Sequence, residues 1–150
     1  MSATSTVPAF GCTCARLRKL TRRLTRIYDA HLAGEAIKVT QYSLLANAAR
    51  GERTLSEFAA ELEMDRSTLS RNLTPLVAQG WVRVSIGTDP RSRSISVTAA
   101  GRRKLKAALP LWRKAQCEVE AILGAAGVGA LHRKIERALA ALPLSSGKRT

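Results

Sequence analysis

Cysteine is scarce in this chain of 150 residues, where it occurs three times, as Cys12, Cys14 and Cys117. This number is too small and too odd for a disulfide-stapled secreted domain, so we expect reduced thiols. The chain also lacks any uncharged apolar run of roughly 18 residues, the length that a membrane-spanning helix needs. Residues 1–10 do not follow the charged-then-apolar layout of a secretory signal. These absences predict a cytoplasmic protein with no membrane segment.

The motifs of common enzymes are also missing. The sequence contains no glycine-rich phosphate loop, no His-Glu-x-x-His, no Gly-x-Ser-x-Gly and no pair of acids in an apolar setting. The Cys-x-Cys pair, joined by Cys117 or His31, offers soft ligands to zinc or copper(I), but a structural site needs a second ligand pair at short spacing. We therefore predict that the protein is not an enzyme and has neither a metal site nor a cofactor.

Acidic residues are few compared with basic ones. The chain has 25 Lys and Arg against 11 Asp and Glu, a net charge of +14 and a pI near 11.0. Residues 16–26 carry six basic side chains and no acid, and residues 83–106 carry seven against Asp89 alone. Residues 52–65, by contrast, carry five acids and one arginine. This charge balance favours a polyanion as the partner.

The spacing of apolar residues predicts six helices and one hairpin. A helical period runs from Thr13 to about Gly34, and Thr40 is the expected cap of a second helix that ends at Arg50. The period becomes close to two in residues 81–86 and 91–97, on either side of a Gly-Thr-Asp-Pro turn, as in a β-hairpin. The other predicted helices are Leu55–Leu62, Arg66–Ala78 with Asp65 or Ser67 as cap and a bend at Pro75, a long helix after Thr98 bent around Pro110 and closed by Gly124, and Val128–Leu142.

Two short helices joined by a tight turn, followed at once by a basic hairpin, are typical of a winged helix-turn-helix. The predicted fold is therefore mostly α with a small β-hairpin wing. In this fold the second short helix enters the DNA major groove, where Arg and Asn can bridge guanine and adenine edges and small hydroxyls let the backbone approach phosphates. The predicted base-reading side chains are Ser67, Thr68, Ser70, Arg71 and Asn72.

Several segments of the sequence resemble the multiple-antibiotic-resistance regulator, or MarR, family. The most specific is Asp89-Pro90-Arg91-Ser92 followed by Val97-Thr98-Ala99-Ala100-Gly101. The remaining segments are residues 55–62, 65–73, and Leu76 through Gly80-Trp81-Val82. The resemblance implies a dimeric winged-helix transcription factor, with Asp89 stabilising the wing tip and Arg91, assisted by Arg93, reaching the minor groove of double-stranded DNA.

The resemblance also implies how the chain is organised. Residues 1–150 are expected to form a single MarR-like domain, in which 38–98 make the DNA-binding lobe and 12–34 and 99–142 make the dimerisation helices. A homodimer is expected to read an inverted-repeat operator with half-sites ~34–36 Å apart. A repressor is favoured over an activator.

A MarR-like regulator is expected to respond to a signal. A small effector in this family fits between the dimerisation helices and the DNA-binding lobe, which points to Leu17, Tyr28, Tyr42, Trp112 and the cysteines. Alternatively, basic neighbours and the helix N-terminus would lower the pKa of Cys12 or Cys14 and favour oxidation, with Cys117 as a second thiol. Inert cysteines are the simpler alternative, since the family's peroxide sensors surround their thiol with more tyrosines than this chain contains.

A different class of function also fits the charge. A net charge of +14 would bind any duplex, so a non-sequence-specific architectural nucleic-acid-binding protein is the alternative prediction.

Overall fold

The computed structural model describes residues 11–144, so the first ten residues, which carry the expectation of no secretory signal, lie outside the described residues. The helices are α1 (Thr13–Leu32), α2 (Val39–Ala48), α3 (Leu55–Glu61), α4 (Arg66–Ala78), α5 (Ala99–Leu123) and α6 (Ala125–Ala141). A single 3-10 turn, Ala33–Glu35, joins α1 to α2. Within residues 11–144, no helix has the length and apolarity needed to cross a bilayer.

The sheet has three antiparallel strands, β1 (Arg53–Thr54), β2 (Val82–Ile86) and β3 (Arg93–Val97), in the order β1-β3-β2. The hairpin register runs from Val82 opposite Val97 to Ile86 opposite Arg93. The hairpin prediction is confirmed, but the sequence analysis did not predict β1. Two residues are too few to show a period of two, and β1 exists because Arg53 pairs with Ile95.

The core of the helix-turn-helix lobe forms where α2, α3, α4 and the sheet meet. Its largest fully buried side chains include Phe58, Leu69, Leu76 and Ile95. Because Leu69, Leu73 and Leu76 share one face of α4, the opposite face is left to solvent. Pro75 lies inside α4 and the helix continues through it to Ala78.

α1 and α5 pack against each other in opposite directions. Near the start of α5, Lys104 Nζ donates to the backbone carbonyl of Glu35, just after α1, at 3.0 Å. About three turns further along α5, the Tyr28 hydroxyl donates to Gln116 Oε1. The N-terminal turns of α1 therefore lie toward the end of α5 that is remote from the wing.

Two predicted helix starts differ from the structure. Lys38, not Thr40, precedes α2, and the Lys38 amide donates to Gln41 Oε1 at 3.0 Å. The α6 helix begins at Ala125 rather than Val128, because Gly124 (φ 75°) ends α5 and the alanines that follow show no apolar periodicity. α5 is one continuous helix from Ala99 to Leu123 that includes Pro110.

Candidate nucleic-acid interface

Asp65 organises the start of α4. Its Oδ1 accepts a hydrogen bond from the Thr68 amide at 2.8 Å and from the Ser67 hydroxyl at 2.5 Å, and its Oδ2 accepts from the Thr68 hydroxyl at 2.6 Å. These hydrogen bonds, of which the one from Ser67 has the largest effect, hold the pKa of the Asp65 carboxyl well below its usual 3.8. Of the two predicted caps, Asp65 is the one that the structure uses. The Ser67 and Thr68 hydroxyls are thereby held near the N-terminus of α4.

The outward face of α4 carries the other predicted base-reading residues. Ser70, Arg71 and Asn72 are all exposed, whereas Leu69 and Leu73 between them are buried. Arg71 Nη2 lies 3.4 Å from the Thr68 hydroxyl, so Asp65, Thr68 and Arg71 form a chain of polar contacts along the first turns. The structure thus brings the five predicted α4 residues together on one accessible surface.

The tip of the wing is shaped by Asp89. Its Oδ1 accepts from the Arg91 amide at 2.9 Å, and its backbone carbonyl accepts from the amide and hydroxyl of Ser92, both at 2.9 Å. Gly87 closes the same turn, since an added Cβ there would lie 2.2 Å from Ser92 Oγ. The predicted stabilising role of Asp89 therefore corresponds to specific bonds within the turn.

Arg91 and Arg93 are placed differently at that tip. Arg93 Nη1 donates to the backbone carbonyls of Pro90 and Ser92, at 3.3 and 3.2 Å, so its guanidinium bends back over the turn. The Arg91 side chain is exposed, and no described residue accepts a hydrogen bond from it. Of the two arginines, Arg91 is the one left available to a partner, and Arg93 braces the turn.

The base of the wing is fixed to the start of α5. Thr98 donates from its amide to the Trp81 carbonyl at 3.0 Å and from its hydroxyl to the Gly80 carbonyl at 2.6 Å. The Thr98 hydroxyl also accepts from the Gly101 amide at 3.0 Å, which caps α5. Lys104 Nζ then lies 5.4 Å from the centre of the Trp81 ring and 3.0 Å from Glu35 Oε2. These contacts join the wing, α5 and the turn after α1.

The acids of residues 52–65 hold the helix-turn-helix in place. Glu57 completes a capping box with Thr54, and hydrogen bonds from Thr54 lower the pKa of the Glu57 carboxyl. Glu61 pairs with Arg53, and also with Arg50 at 3.6 Å. The acidic segment therefore serves the internal structure of the lobe. The sequence analysis missed Arg53, whose guanidinium also lies 4.7 Å from the centre of the Phe58 ring.

The structure places three of the predicted effector residues together. The Trp112 ring lies 6.2 Å from Tyr42, in a stacked arrangement, and 6.3 Å from Tyr28. Burial raises the pKa of both tyrosines, and the Glu120 carboxylate raises that of Tyr28 further. Both phenols are therefore protonated at neutral pH.

A cavity of about 570 Å³ lies elsewhere, between α2 and α4, and Arg71 and Asn72 are among its lining residues.

Cys12 and Cys14 lie apart from that aromatic cluster within one chain, whereas Cys117 follows Gln116, the partner of Tyr28. All three are exposed free thiols, and Cys12 precedes the first turn of α1. Cys14 is about 21 Å along α1 from Tyr28, whose hydroxyl bonds Gln116, the neighbour of Cys117. A disulfide needs Cα atoms within ~7 Å, so Cys14 does not reach Cys117 of its own chain. Within residues 11–144, no cluster of three or more His, Cys, Asp or Glu side chains is arranged to hold a metal ion.

Known proteins are similar to this chain in both sequence and fold. Residues 37–92 match the sequence profile of the MarR family. The crystal structure of the Mycobacterium tuberculosis transcriptional regulator MosR in complex with DNA is 39% identical, with a TM-score of 0.77, over 84% of this chain and 92% of that one. The chain belongs to the MarR family. This assignment confirms the family and the winged-helix fold that the sequence predicts.

Two further solved structures agree. A second MosR structure is 36% identical, with a TM-score of 0.69, over 87% of this chain and 97% of that one. A cysteine-to-serine mutant of MarR from Escherichia coli, complexed with operator DNA, is 23% identical, with a TM-score of 0.74, over 83% of this chain and 92% of that one. At that identity the E. coli protein shows the shared fold alone. A comparison with curated protein sequences found no match.

Proposed function

We propose that this MarR-family chain is a cytoplasmic, homodimeric transcriptional repressor that binds an inverted-repeat operator in double-stranded DNA. The observation that carries the proposal is the surface formed by α4 and the wing tip. Asp65 fixes the start of α4, and Arg71 and Asn72 are exposed on its outer face. Exposed Arg and Asn side chains on a helix of this kind can each bridge one base edge.

The wing adds a second kind of contact. Arg91 is exposed at a tip whose backbone is held by Asp89, so little backbone order has to be gained on binding. An arginine at such a position is attracted by the negative potential of a narrow, A·T-rich minor groove. We propose that Arg91 contributes to specificity through DNA shape, while Arg71 and Asn72 read bases directly.

Apolar faces left uncovered support the homodimer. On α6, Leu139 is 55% and Leu142 67% exposed, and at the end of α5 Ile122 is 63% exposed. Leu139 and Leu142 lie on the same side of α6 as Ile135 because they follow it by four and seven residues. A second copy of the chain would bury these side chains. Its two recognition helices would then face half-sites about one helical turn apart.

The experiment that tests the function is selection of bound sequences from a random duplex pool, followed by competition. A sequence-specific regulator enriches an inverted repeat, and excess random duplex displaces that repeat poorly. The alternative, an architectural nucleic-acid-binding protein, enriches no repeat and exchanges labelled operator for random duplex at equal concentrations.

We infer that the signal that releases DNA is a small effector or oxidation of a cysteine. Cys12 and Cys14 are exposed at the start of α1, close in sequence to the exposed Leu17. Hydrogen peroxide transfers one oxygen atom to a thiolate, which yields a sulfenic acid and hydroxide. The polar product would disturb the packing of α1 against a second subunit, and the spacing of the two recognition helices would change.

Substitution of single cysteines tests this inference. Operator binding is measured before and after a few equivalents of peroxide in wild type and in Cys12→Ser, Cys14→Ser and Cys117→Ser. Loss of binding in wild type, prevented by one of the first two substitutions, supports oxidation as the signal. Equal binding by oxidised and reduced wild type contradicts it and leaves a small molecule, for which the aromatic residues Tyr28, Tyr42 and Trp112 are the candidates.

A further inference from the structure

Residues 16–26 of α1 carry a concentrated basic surface. Successive helical residues are about 100° apart, so its six cations fall within an arc of about 160°. The opposite side of α1 carries Leu24 and Tyr28, which are partly buried. All six cations are exposed, and together they are called the α1 basic arc: Arg16, Arg18, Lys19, Arg22, Arg23 and Arg26.

The folded chain does not neutralise the α1 basic arc. In residues 11–144 no carboxylate lies within 4.0 Å of any of its six cations. The only acid on α1, Asp29, accepts from the Val39 amide at 2.8 Å and pairs with Lys38 at 3.6 Å. The charge of the arc is therefore available to a partner.

The arrangement also works against the stability of α1. Like charges repel at spacings of three and four residues, as between Lys19 and Arg22 or Arg23. Cations near a helix N-terminus oppose its dipole, and α1 has no acid in its first turn and no side-chain cap. Since packing against α5 uses the other face, folding alone does not explain this cluster of charge.

The α1 basic arc lies far from the winged-helix surface. The Tyr28 hydroxyl bonds Gln116, which is about 26 Å along α5 from its start at the wing. Because α1 runs antiparallel to α5, Arg16 lies a further 18 Å or so along α1, away from the wing. A duplex held by α4 and the wing tip is therefore out of reach of the N-terminal part of the arc.

We propose that the α1 basic arc binds the backbone of a second segment of duplex DNA, so that one dimer bridges two segments. The proposal rests on the proposed function for the first segment. Five of the six cations are arginines, whose planar guanidinium groups bind phosphate in bidentate fashion. The arc is about 15 Å long, a length over which one strand of a duplex presents about four phosphates. The apolar face of α1 packs on α5, so α1 cannot insert that face into a membrane.

A bridging assay tests the proposal with full-length protein. A 60-base-pair random duplex is fixed to beads, and capture of a second, fluorescent 60-base-pair duplex is measured. The test variant is Arg16→Gln/Lys19→Gln/Arg23→Gln. The control is Arg133→Gln/Lys134→Gln/Arg137→Gln, which removes the same charge from exposed positions on α6. We expect the test variant to capture at least about tenfold less of the second duplex than wild type does. The slope of the logarithm of the binding constant against the logarithm of salt concentration should become shallower by up to about 2.7, whereas the control should keep the wild-type capture and slope.

Three results overturn the proposal. The first is equal bridging by the test and control variants. The second is loss of the dimer in sedimentation of the test variant, which would make the arc a subunit contact. The third is a wild type that sediments with vesicles of 30% phosphatidylserine, through the same cations, but does not bridge duplexes. A wild type that binds its operator without bridging refutes only the second surface, whereas bridging without operator preference refutes only the proposed function.

Discussion

Gly101 sits directly beneath the Trp81 backbone, because a Cβ added at Gly101 would lie 2.2 Å from the Trp81 carbonyl oxygen. That carbonyl also accepts the Thr98 amide at 3.0 Å, so it has little freedom to move. The close approach lets α5 start at the base of the wing, and it explains why glycine follows Thr98 by three residues.

Gly101→Ala is therefore expected to destabilise the fold by about 1–3 kcal/mol, as overpacking against a fixed backbone does. Urea unfolding followed by circular dichroism measures the change. The matched control is Gly127→Ala in α6, where an added Cβ comes no closer than 3.9 Å to Leu123 and alanine favours the helix. Equal stability of the two variants would contradict the close contact.

Acid stability should depend on Asp65. The pKa of its carboxyl is lowered in the folded state, so its contribution is present above the unfolded value near 3.8 and is lost as pH falls below it. Unfolding free energies measured from pH 7 to 2.5 should fall less steeply for Asp65→Asn than for wild type. Glu63→Gln, at an exposed position two residues earlier, is the control and should keep the wild-type slope.

The wing tip offers a contrast between two arginines. Arg91→Ala should weaken operator binding with no change in unfolding free energy or oligomeric state, because its side chain is exposed at the tip. Arg93→Ala should weaken binding through a looser turn, since its guanidinium holds the Pro90 and Ser92 carbonyls. Fluorescence anisotropy with labelled operator and thermal unfolding separate the two effects. A monomeric or unfolded Arg91→Ala would show that this residue is structural.

The uncovered face of α6 should hold the dimer together. Leu139→Glu places a charge on that face and is expected to yield monomers in sedimentation velocity at micromolar concentration. Arg133→Glu, which changes charge on the opposite side of α6, should remain dimeric. A dimeric Leu139→Glu would move the proposed interface elsewhere.

Much of the fold follows from local sequence signals. The predicted range of α4 agrees with the structure because Asp65 caps it and its leucines recur at helical spacing. β1 could not be predicted, because it depends on Arg53 meeting Ile95, which is distant in sequence. The different roles of Arg91 and Arg93 could not be predicted from the sequence either, because they depend on the folded shape of the turn at the wing tip.

The candidate site was predictable in its residue types but less so in its internal order. The small hydroxyls of Ser67 and Thr68 predict that the backbone of α4 can approach DNA phosphates, yet in the structure both hydroxyls donate to Asp65. Sequence alone does not show whether a hydroxyl faces its neighbour or a partner. The short spacing of an Asp two residues before a Ser is the signal that points to this cap.

Base reading by α4 is the central claim, and binding by Arg71→Ala and Asn72→Ala tests it most directly. Each variant is titrated by anisotropy against the selected operator and against random duplex, with Arg137→Ala on α6 as the charge control for Arg71→Ala. We expect each α4 variant to lose about 1–3 kcal/mol on the operator and almost nothing on random duplex, because base edges specify whereas phosphates do not. Equal losses on both duplexes would contradict the claim, since they would show that Arg71 and Asn72 contact only the DNA backbone.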